Sequence, residues 1–352
     1  MQSESLRVAL VGLGNVGAIH LDCYLRAPGI NLVAVAERRV ERARELGVPE
    51  DVECFTDLDA LLSAVRPDVV CVATPVATHE AVVTSCARAG AHILCEKPLA
   101  IDGDAARRML AVCAEAGVQL GYAASYRFLP AVMAAREVIA GGALGEIKVI
   151  SETAVGGAAS GGASAMGFVH YPEGGPGGSG MGLVDHGIHF IDIFPWLVGS
   201  GIVETSGRGN ISGQPLASEW MNMHFENGAI GQLLYNENVY ATALPHEGLF
   251  SAGEGWDIES GMVRAGQWSG APGCIHVNGT EGALRIFHYA NRLFLNNKEG
   301  VRELPVAGDP PPAHFRDQML AFLEALAANS AVPVSGECGL RALDLLLAVY
   351  PE

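Results

Sequence analysis

Positive charge is scarce in this chain: 22 lysines and arginines stand against 39 aspartates and glutamates, a formal net charge of −17 over 352 residues. Nucleic acids are held by clustered Lys and Arg on their phosphates, so the deficit argues against such a partner. It argues equally against an anionic membrane surface. Long apolar runs are missing as well, and no stretch reaches the roughly 20 consecutive residues that cross a bilayer. The opening Met1-Gln2-Ser3-Glu4-Ser5 has no basic leader, apolar signal core or paired arginines, which sets the expectation of a cytoplasmic protein. The eight cysteines are scattered without one C-x-x-C pair. Most sit in apolar surroundings such as Val69-Val70-Cys71-Val72, so buried free thiols in a reducing compartment are expected rather than disulfides or zinc.

What is present is the composition of a folded protein, 49% hydrophobic and 17% charged. The length exceeds one ordinary core and suits two domains. Over the first 120 or so residues, β-rich runs (7–11, 31–36, 68–73, 92–95, 118–123) alternate with helical patterns (18–26, 40–46, 58–64, 80–89, 102–116). Continuous apolar strands spaced by helices indicate βαβ units around a parallel sheet buried on both faces. The character then changes. A helix at 131–140 and a strand at 146–153 precede a glycine-rich stretch, 156–182, which reads as a loop. From 202 to 286 strands and turns dominate, with Asn227-Gly228 as a hairpin turn between 220–225 and 230–235. Helices at 314–328 and 340–350 close the chain, and no internal repeat is visible. The expectation is an α/β protein: a doubly wound parallel sheet over residues 1–123, then an α+β domain over 124–352 with an open, largely antiparallel sheet.

Gly12-Leu13-Gly14-Asn15-Val16-Gly17 follows the first strand and opens the first helix. That is the context in which G-x-G-x-x-G carries meaning as a Rossmann dinucleotide fingerprint. Gly12 permits the tight turn, Gly14 lets backbone approach a pyrophosphate, and Gly17 lets helix and strand pack closely. The helix starting near Asn15 and Val16 offers unpaired N–H groups and a positive dipole end to phosphates. Glu37 ends the second strand, twenty residues after Gly17, where an acid can hold the adenosine ribose hydroxyls. It favours NAD by repelling a 2′-phosphate, while Arg38 and Arg39 leave NADP open.

Further segments follow in order: Ala73-Thr74-Pro75 with His79, Glu96-Lys97-Pro98, Leu144-Gly145-Glu146-Ile147, Asp185-His186-Gly187-Ile188-His189, and Gly279-Thr280-Glu281-Gly282. With these after the glycine motif, the chain resembles the Gfo/Idh/MocA family of oxidoreductases from about Leu6 to about Ala348. The resemblance implies an NAD(P)-dependent dehydrogenase acting on a CH–OH group of a sugar, cyclitol or related polyol, with nicotinamide and substrate held between two domains. It casts Lys97, Asp185 and His189 as the catalytic set, and these three also as substrate contacts. Thr74, Pro75, His79 and Glu96 would line or shape the cofactor cleft together with Lys97. It also implies a homo-oligomer, a dimer or tetramer, formed through the sheet of the second domain.

The chemistry asks for these residue types independently. Oxidising a secondary alcohol needs a proton acceptor at the hydroxyl, and histidine titrates near neutrality. An ammonium polarises the developing alkoxide. On a helix, positions 185, 189 and 192 share a face, whereas His186 points roughly 100° away. That divergence, with no cysteine near, argues against a metal held by Asp185, His186 and His189. Tyr126 and Arg127 either border the substrate or pack a hinge. Two other functions stay open: a redox-neutral enzyme that oxidises a sugar transiently, and a non-catalytic dinucleotide-binding sensor. A sensor, however, has no need of a base beside a nicotinamide.

Overall fold

The computed structural model describes residues 5–155, 171, 175–177, 182–215, 217–236, 239, 250–251, 255–256 and 274–350. Most of the glycine-rich 156–182 stretch therefore lies outside the described residues. The chain divides into two compact units, Met1–Ala124 with Phe315–Leu343, and Ser125–His314 with Asp344–Glu352.

In the first unit the elements run β1 (Arg7–Val11), α1 (Asn15–Leu25), β2 (Asn31–Ala36), α2 (Val40–Glu45), β3 (Glu53–Phe55), α3 (Leu58–Val65), β4 (Val69–Val72), α4 (His79–Arg88), β5 (His92–Cys95), α5 (Gly103–Ala116) and β6 (Leu120–Tyr122). The strands form one sheet in the order β3-β2-β1-β4-β5-β6, every pair parallel. Consecutive side chains of a strand face opposite sides of its sheet. All four residues of β4 and the last four of β1 are buried, so both faces of the sheet are covered. The strand order reverses between β1 and β4, which opens a crevice at their carboxyl ends. Two helices carry side-chain caps: Asp57 accepts from the Ala60 N–H at 2.8 Å, and Asp102 from that of Ala105 at 2.7 Å. By contrast α1 starts after Gly14 with no side-chain cap and no acid in its first turn, so its leading N–H groups stay open to an anion.

The chain later returns to this unit, which the division at 123/124 does not anticipate. Helix α8 (His314–Ala327) places Phe315, Met319, Phe322 and Leu323 among the buried residues of the β1–α1 core, at the spacing of an amphipathic helix. Beyond it Ser335 bridges to Gly121 of β6, and the Tyr122 N–H donates to the Val334 carbonyl at 2.9 Å. Helix α9 (Gly336–Leu347) then starts in the first unit and ends in the second.

In the second unit α6 (Pro130–Ala140) and β7 (Ile147–Val155) lead to α7 (Ile188–Val198), β8 (Ile202–Arg208), β9 (Glu219–Phe225) and β10 (Ile230–Asn236). A short ribbon, β11 (Phe250–Ser251) with β12 (Gly255–Trp256), precedes β13 (Ile275–Gly279), β14 (Gly282–Phe287), β15 (Arg292–Asn297) and β16 (Gly300–Leu304). Eight strands form a sheet in the order β16-β15-β14-β13-β7-β10-β9-β8. Only β7 and β10 pair in parallel; the other neighbours are antiparallel. Helix α6 packs on β14 and β15, and α7 on β7. Val149, Trp220 and Ile230 are exposed on this sheet. The open, largely antiparallel sheet and the parallel doubly wound sheet are thus both as the sequence indicates.

The return of α8 makes a testable claim. Phe322→Ala removes a ring packed so close to β6 that a Cβ on Gly121 would lie 2.6 Å from it. The expected loss is about 3–5 kcal/mol by urea unfolding. A loss of about 1 kcal/mol or less would place α8 outside the core of the first unit.

Candidate functional site

The crevice of the first unit is a cavity of about 450 Å³, walled by the ends of β1, β2 and β4 and the residues that follow them: Gly12 and Gly14, Glu37 to Arg39, and Ala73 to Pro75. Its floor is crowded. Gly12 has φ +93°, and a Cβ there would lie 2.6 Å from the Ala73 carbonyl oxygen. A Cβ on Gly17 would lie 2.0 Å from the carbonyl oxygen of Gly12. Around Gly14, in contrast, nothing lies within 4 Å of a built Cβ, so the main chain is open to a ligand. Asn15 and Val16 form the first turn of α1 beside it. Glu37 is aimed by the backbone: its Oε2 accepts from the Leu13 N–H at 2.9 Å and its Oε1 from the Arg39 N–H at 3.0 Å. A carboxylate has about four acceptor positions, so each oxygen keeps capacity for a ribose hydroxyl. Arg38 lines the same wall, as do Thr56 and Asp57, which the sequence did not single out.

Thr74 and Pro75 line the crevice, but His79 and Glu96 are buried behind it. The His79 ring spans the Thr74 carbonyl at 2.8 Å and the Leu99 carbonyl at 3.1 Å, fixing the loop after β4, and burial holds its pKa below the usual histidine range. Glu96 ends β5. Its Oε2 accepts from the Lys97 N–H at 3.0 Å, and its Oε1 lies 2.7 Å from Nε2 of His20 on α1. The other nitrogen of His20 meets the Tyr24 hydroxyl at 2.8 Å, and that hydroxyl donates to Cys71 Sγ at 3.4 Å. Burial alone would lower the pKa of fully buried His20. The neighbouring Cys71 sulfur and Glu96 carboxylate outweigh it and hold the group at about 10. The imidazolium then donates on both sides, to Glu96 and to Tyr24. This pair ties the helix whose N-terminus faces the crevice to the strand end that carries half-buried Lys97.

In the second unit Leu183–Gly187 forms a single π turn, with the Gly187 N–H donating to the Gly182 carbonyl at 3.0 Å, and α7 follows. The segment expected to carry Asp185, His189 and Asp192 on one helical face is therefore interrupted. Asp185 lies half-buried in the π turn, while His189 and Asp192 belong to α7. Glu219 fastens this turn: buried, it accepts from the N–H groups of Leu183 at 3.0 Å and Asn210 at 2.7 Å, and from the Tyr350 hydroxyl at 3.1 Å. His189 is buried and its ring stacks on Tyr126, with centroids 3.7 Å apart and planes 6° from parallel. Arg127 grips Asp192 with two hydrogen bonds of 2.6 and 2.7 Å, so its guanidinium is already engaged within the unit. His186 is a core histidine, 2% exposed. Among the described residues no group of three or more His, Cys, Asp or Glu side chains converges as a metal site.

The model for the oxidoreductase family's NAD-binding Rossmann fold matches residues 6–124, and that for the Gfo/Idh/MocA C-terminal domain matches residues 132–285. The chain belongs to the Gfo/Idh/MocA family. That family is one of oxidoreductases, and the first unit matches its NAD-binding domain; the glycine cradle and open α1 terminus fit a dinucleotide. Relatives include D-glucoside 3-dehydrogenase of Escherichia coli, 33% identical over 201 residues, 56% of either chain. The match therefore spans little more than half the length of that relative. Inositol 2-dehydrogenase of Corynebacterium glutamicum is 28% identical over 282 residues, 76% of either chain. An oxidoreductase from Agrobacterium radiobacter, crystallised with NAD+, L-tartaric acid and magnesium, superposes with a TM-score of 0.76 over 98% of this chain and 95% of that one. At 19% identity this last likeness speaks for the fold alone.

This Gfo/Idh/MocA chain places all eight cysteines as free thiols, six of them buried, Cys338 half-buried and Cys54 exposed. No helix among the described residues is long and apolar enough to cross a membrane. The pairing of His20 with Glu96 went unread in the sequence, although a single histidine between Ile19 and Leu21 on an apolar helix marks a buried polar group in need of a partner. It makes a prediction about pH. A raised folded-state pKa contributes stability that is complete below about 6.5 and is lost as pH climbs through about 10. In urea unfolding at pH 7, 8 and 9, the advantage of wild type over His20→Gln should shrink by up to about 1.4 kcal/mol per pH unit. An advantage independent of pH would show that His20 is neutral in the folded protein.

Proposed function

We propose that the chain is an NAD-dependent dehydrogenase of ring hydroxyls, acting on a sugar or cyclitol. The observation that carries the reading is the first-unit crevice: an uncapped helix start beside an open glycine turn, with Glu37 aimed across it by two main-chain N–H groups. Two carboxylates on one wall, Glu37 and Asp57, oppose a 2′-phosphate there and favour NAD over NADP despite Arg38 and Arg39. The names of the relatives, glucoside 3-dehydrogenase and inositol 2-dehydrogenase, support a cyclic polyol as the substrate class.

NAD, when bound, supplies the acceptor for the hydride that leaves the carbinol carbon. The protein's own work is to manage the oxygen. In this reading Lys97 binds the hydroxyl oxygen and stabilises the charge that develops on it. His189 takes the hydroxyl proton, and returns one in the reverse direction. Asp185 stabilises the imidazolium that results. Tyr126 acts beside them through its stack on His189, and Arg127 through Asp192, so both bear on the substrate from the edge of the site. The second unit supplies substrate contacts. Its exposed sheet face, with Val149, Trp220 and Ile230, is assigned to pairing with a second copy of the chain, since apolar surface of that kind is ordinarily covered. Free thiols suit a cytoplasmic setting.

The test is a panel of myo-inositol, D-glucose, methyl glucosides and sugar acids assayed with NAD and NADP, following reduced cofactor. Reduced NAD should accumulate with at least one cyclic polyol. Lys97→Ala should keep NAD affinity within about twofold by calorimetry and lower kcat by about 100-fold or more. Wild-type turnover in that variant would reject the role of Lys97, and turnover of a glycoside with no net cofactor change would replace net oxidation with a redox-neutral reaction.

A further inference from the structure

Beyond the groups assigned to the chemistry, the second unit buries a carboxylate and an imidazole that the reaction above does not use. Glu152 stands on β7 and His186 in the π turn, 1% and 2% exposed. His186 Nε2 lies 3.4 Å from Glu152 Oε1, long for a hydrogen bond. Its Nδ1 lies 3.1 Å from the hydroxyl of Tyr289, which follows β14. That hydroxyl meets the hydroxyl of Tyr126, whose ring stacks on His189. Four side chains from four separate stretches of sequence thus run from Glu152 to the face of the His189 imidazole, with hydrogen bonds linking His186, Tyr289 and Tyr126 and a longer approach joining His186 to Glu152.

Elementary hydrogen-bond chemistry gives the line a direction. A carboxylate accepts, so Nε2 of His186 carries the proton that faces Glu152. Nδ1 is then an acceptor and takes the Tyr289 O–H, and the Tyr289 oxygen takes the O–H of Tyr126. Every proton points toward Glu152, and each contact polarises the next. Such an arrangement is costly where water is excluded, and apolar side chains of the same volume would fill the space at less expense. Burial also keeps nearby His288 well below the usual histidine range, and burial with Glu152 close by lifts Tyr235 well above the usual tyrosine range. Those neighbours therefore stay uncharged.

We propose that Tyr126, Tyr289, His186 and Glu152 are positioning residues: the buried line fixes the Tyr126 ring, and the stack fixes the plane in which His189 presents its nitrogens. An imidazole that rotates out of that plane keeps its basicity and loses its aim, and misplacement by about 1 Å can cost about 100-fold in rate. The catalytic consequence rests on the proposed acid–base role of His189; the geometric claim does not.

The experiment uses the whole chain with histidines labelled for NMR, the His189 ring signals being assigned through His189→Gln. In wild type those signals should lie upfield, displaced by the Tyr126 ring current, and Tyr126→Leu should abolish the displacement. Tyr289→Phe removes the hydroxyl that meets that of Tyr126 and keeps the Tyr289 ring, which packs edge-on to Tyr126 with centroids 5.8 Å apart. It should lose a large part of the displacement while melting temperature and NAD affinity stay at wild-type values. With the polyol and NAD identified by the panel, its kcat should fall by about tenfold or more with KM for NAD unchanged, and Tyr126→Phe should fall between wild type and Tyr126→Leu. If Tyr289→Phe does not fold, Tyr126→Phe carries the same expectation, because it removes the hydroxyl by which the line reaches the stack and keeps the stacked ring. Unmoved His189 signals in these variants would overturn the inference and leave the dehydrogenase reading standing. Moved signals, together with wild-type turnover in His189→Gln, would uphold the positioning and overturn the role of His189.

Discussion

In the first unit the start of α1 presses main chain against main chain on the turn that follows β1. With a Cβ on Gly17 the approach would shrink to 2.0 Å from the Gly12 carbonyl, and with one on Gly12 to 2.6 Å from that of Ala73. No side chain larger than hydrogen fits either place. Because the helix can come that close, its uncapped end sits at the point where the strand order reverses, and the Leu13 N–H is left facing Glu37. The anion site and the ribose acceptor are consequences of one steric constraint. The His20–Glu96 pair extends it inward, joining the same helix to the strand end that precedes Lys97.

Much of this architecture is legible in the sequence because it rests on local signals. The apolar strands 7–11, 31–36 and 92–95 appear with those bounds, and the Asn227-Gly228 turn joins β9 to β10. Both sheets follow from the pattern of elements, one alternating with helices and one meandering through turns. The glycine motif and Glu37 announce the dinucleotide crevice, since their spacing is tied to one βαβ unit. Short β3 was missed, being three residues with a single apolar aromatic, and α1 begins at Asn15 rather than 18 because the glycine turn is itself the helix start.

What the sequence hides is long-range pairing. Helix α8 looks like any amphipathic helix, and nothing local says that Phe315, Met319 and Phe322 belong to a core begun three hundred residues earlier. His20 and Glu96 are 76 positions apart, and Tyr126 and Tyr289 are 163 apart. Glu219, the first residue of β9, holds the π turn that interrupts the expected helical face of Asp185, His189 and Asp192. In the polar cases a buried group declares that it needs a partner, and only the fold says which. That requirement is a usable signal: buried histidines and carboxylates in apolar segments are the places where an assignment from sequence alone is most worth revisiting.

Dinucleotide binding depends on Glu37 as a preformed acceptor beside an open helix terminus, and the most direct measurement is the crystal structure of the protein grown with NAD. Electron density for the pyrophosphate against the N–H groups of Gly14, Asn15 and Val16, with adenosine ribose oxygens on the Glu37 carboxylate, is the expected result. Density for the dinucleotide elsewhere, with Glu37 bonded only to Leu13 and Arg39, would contradict it.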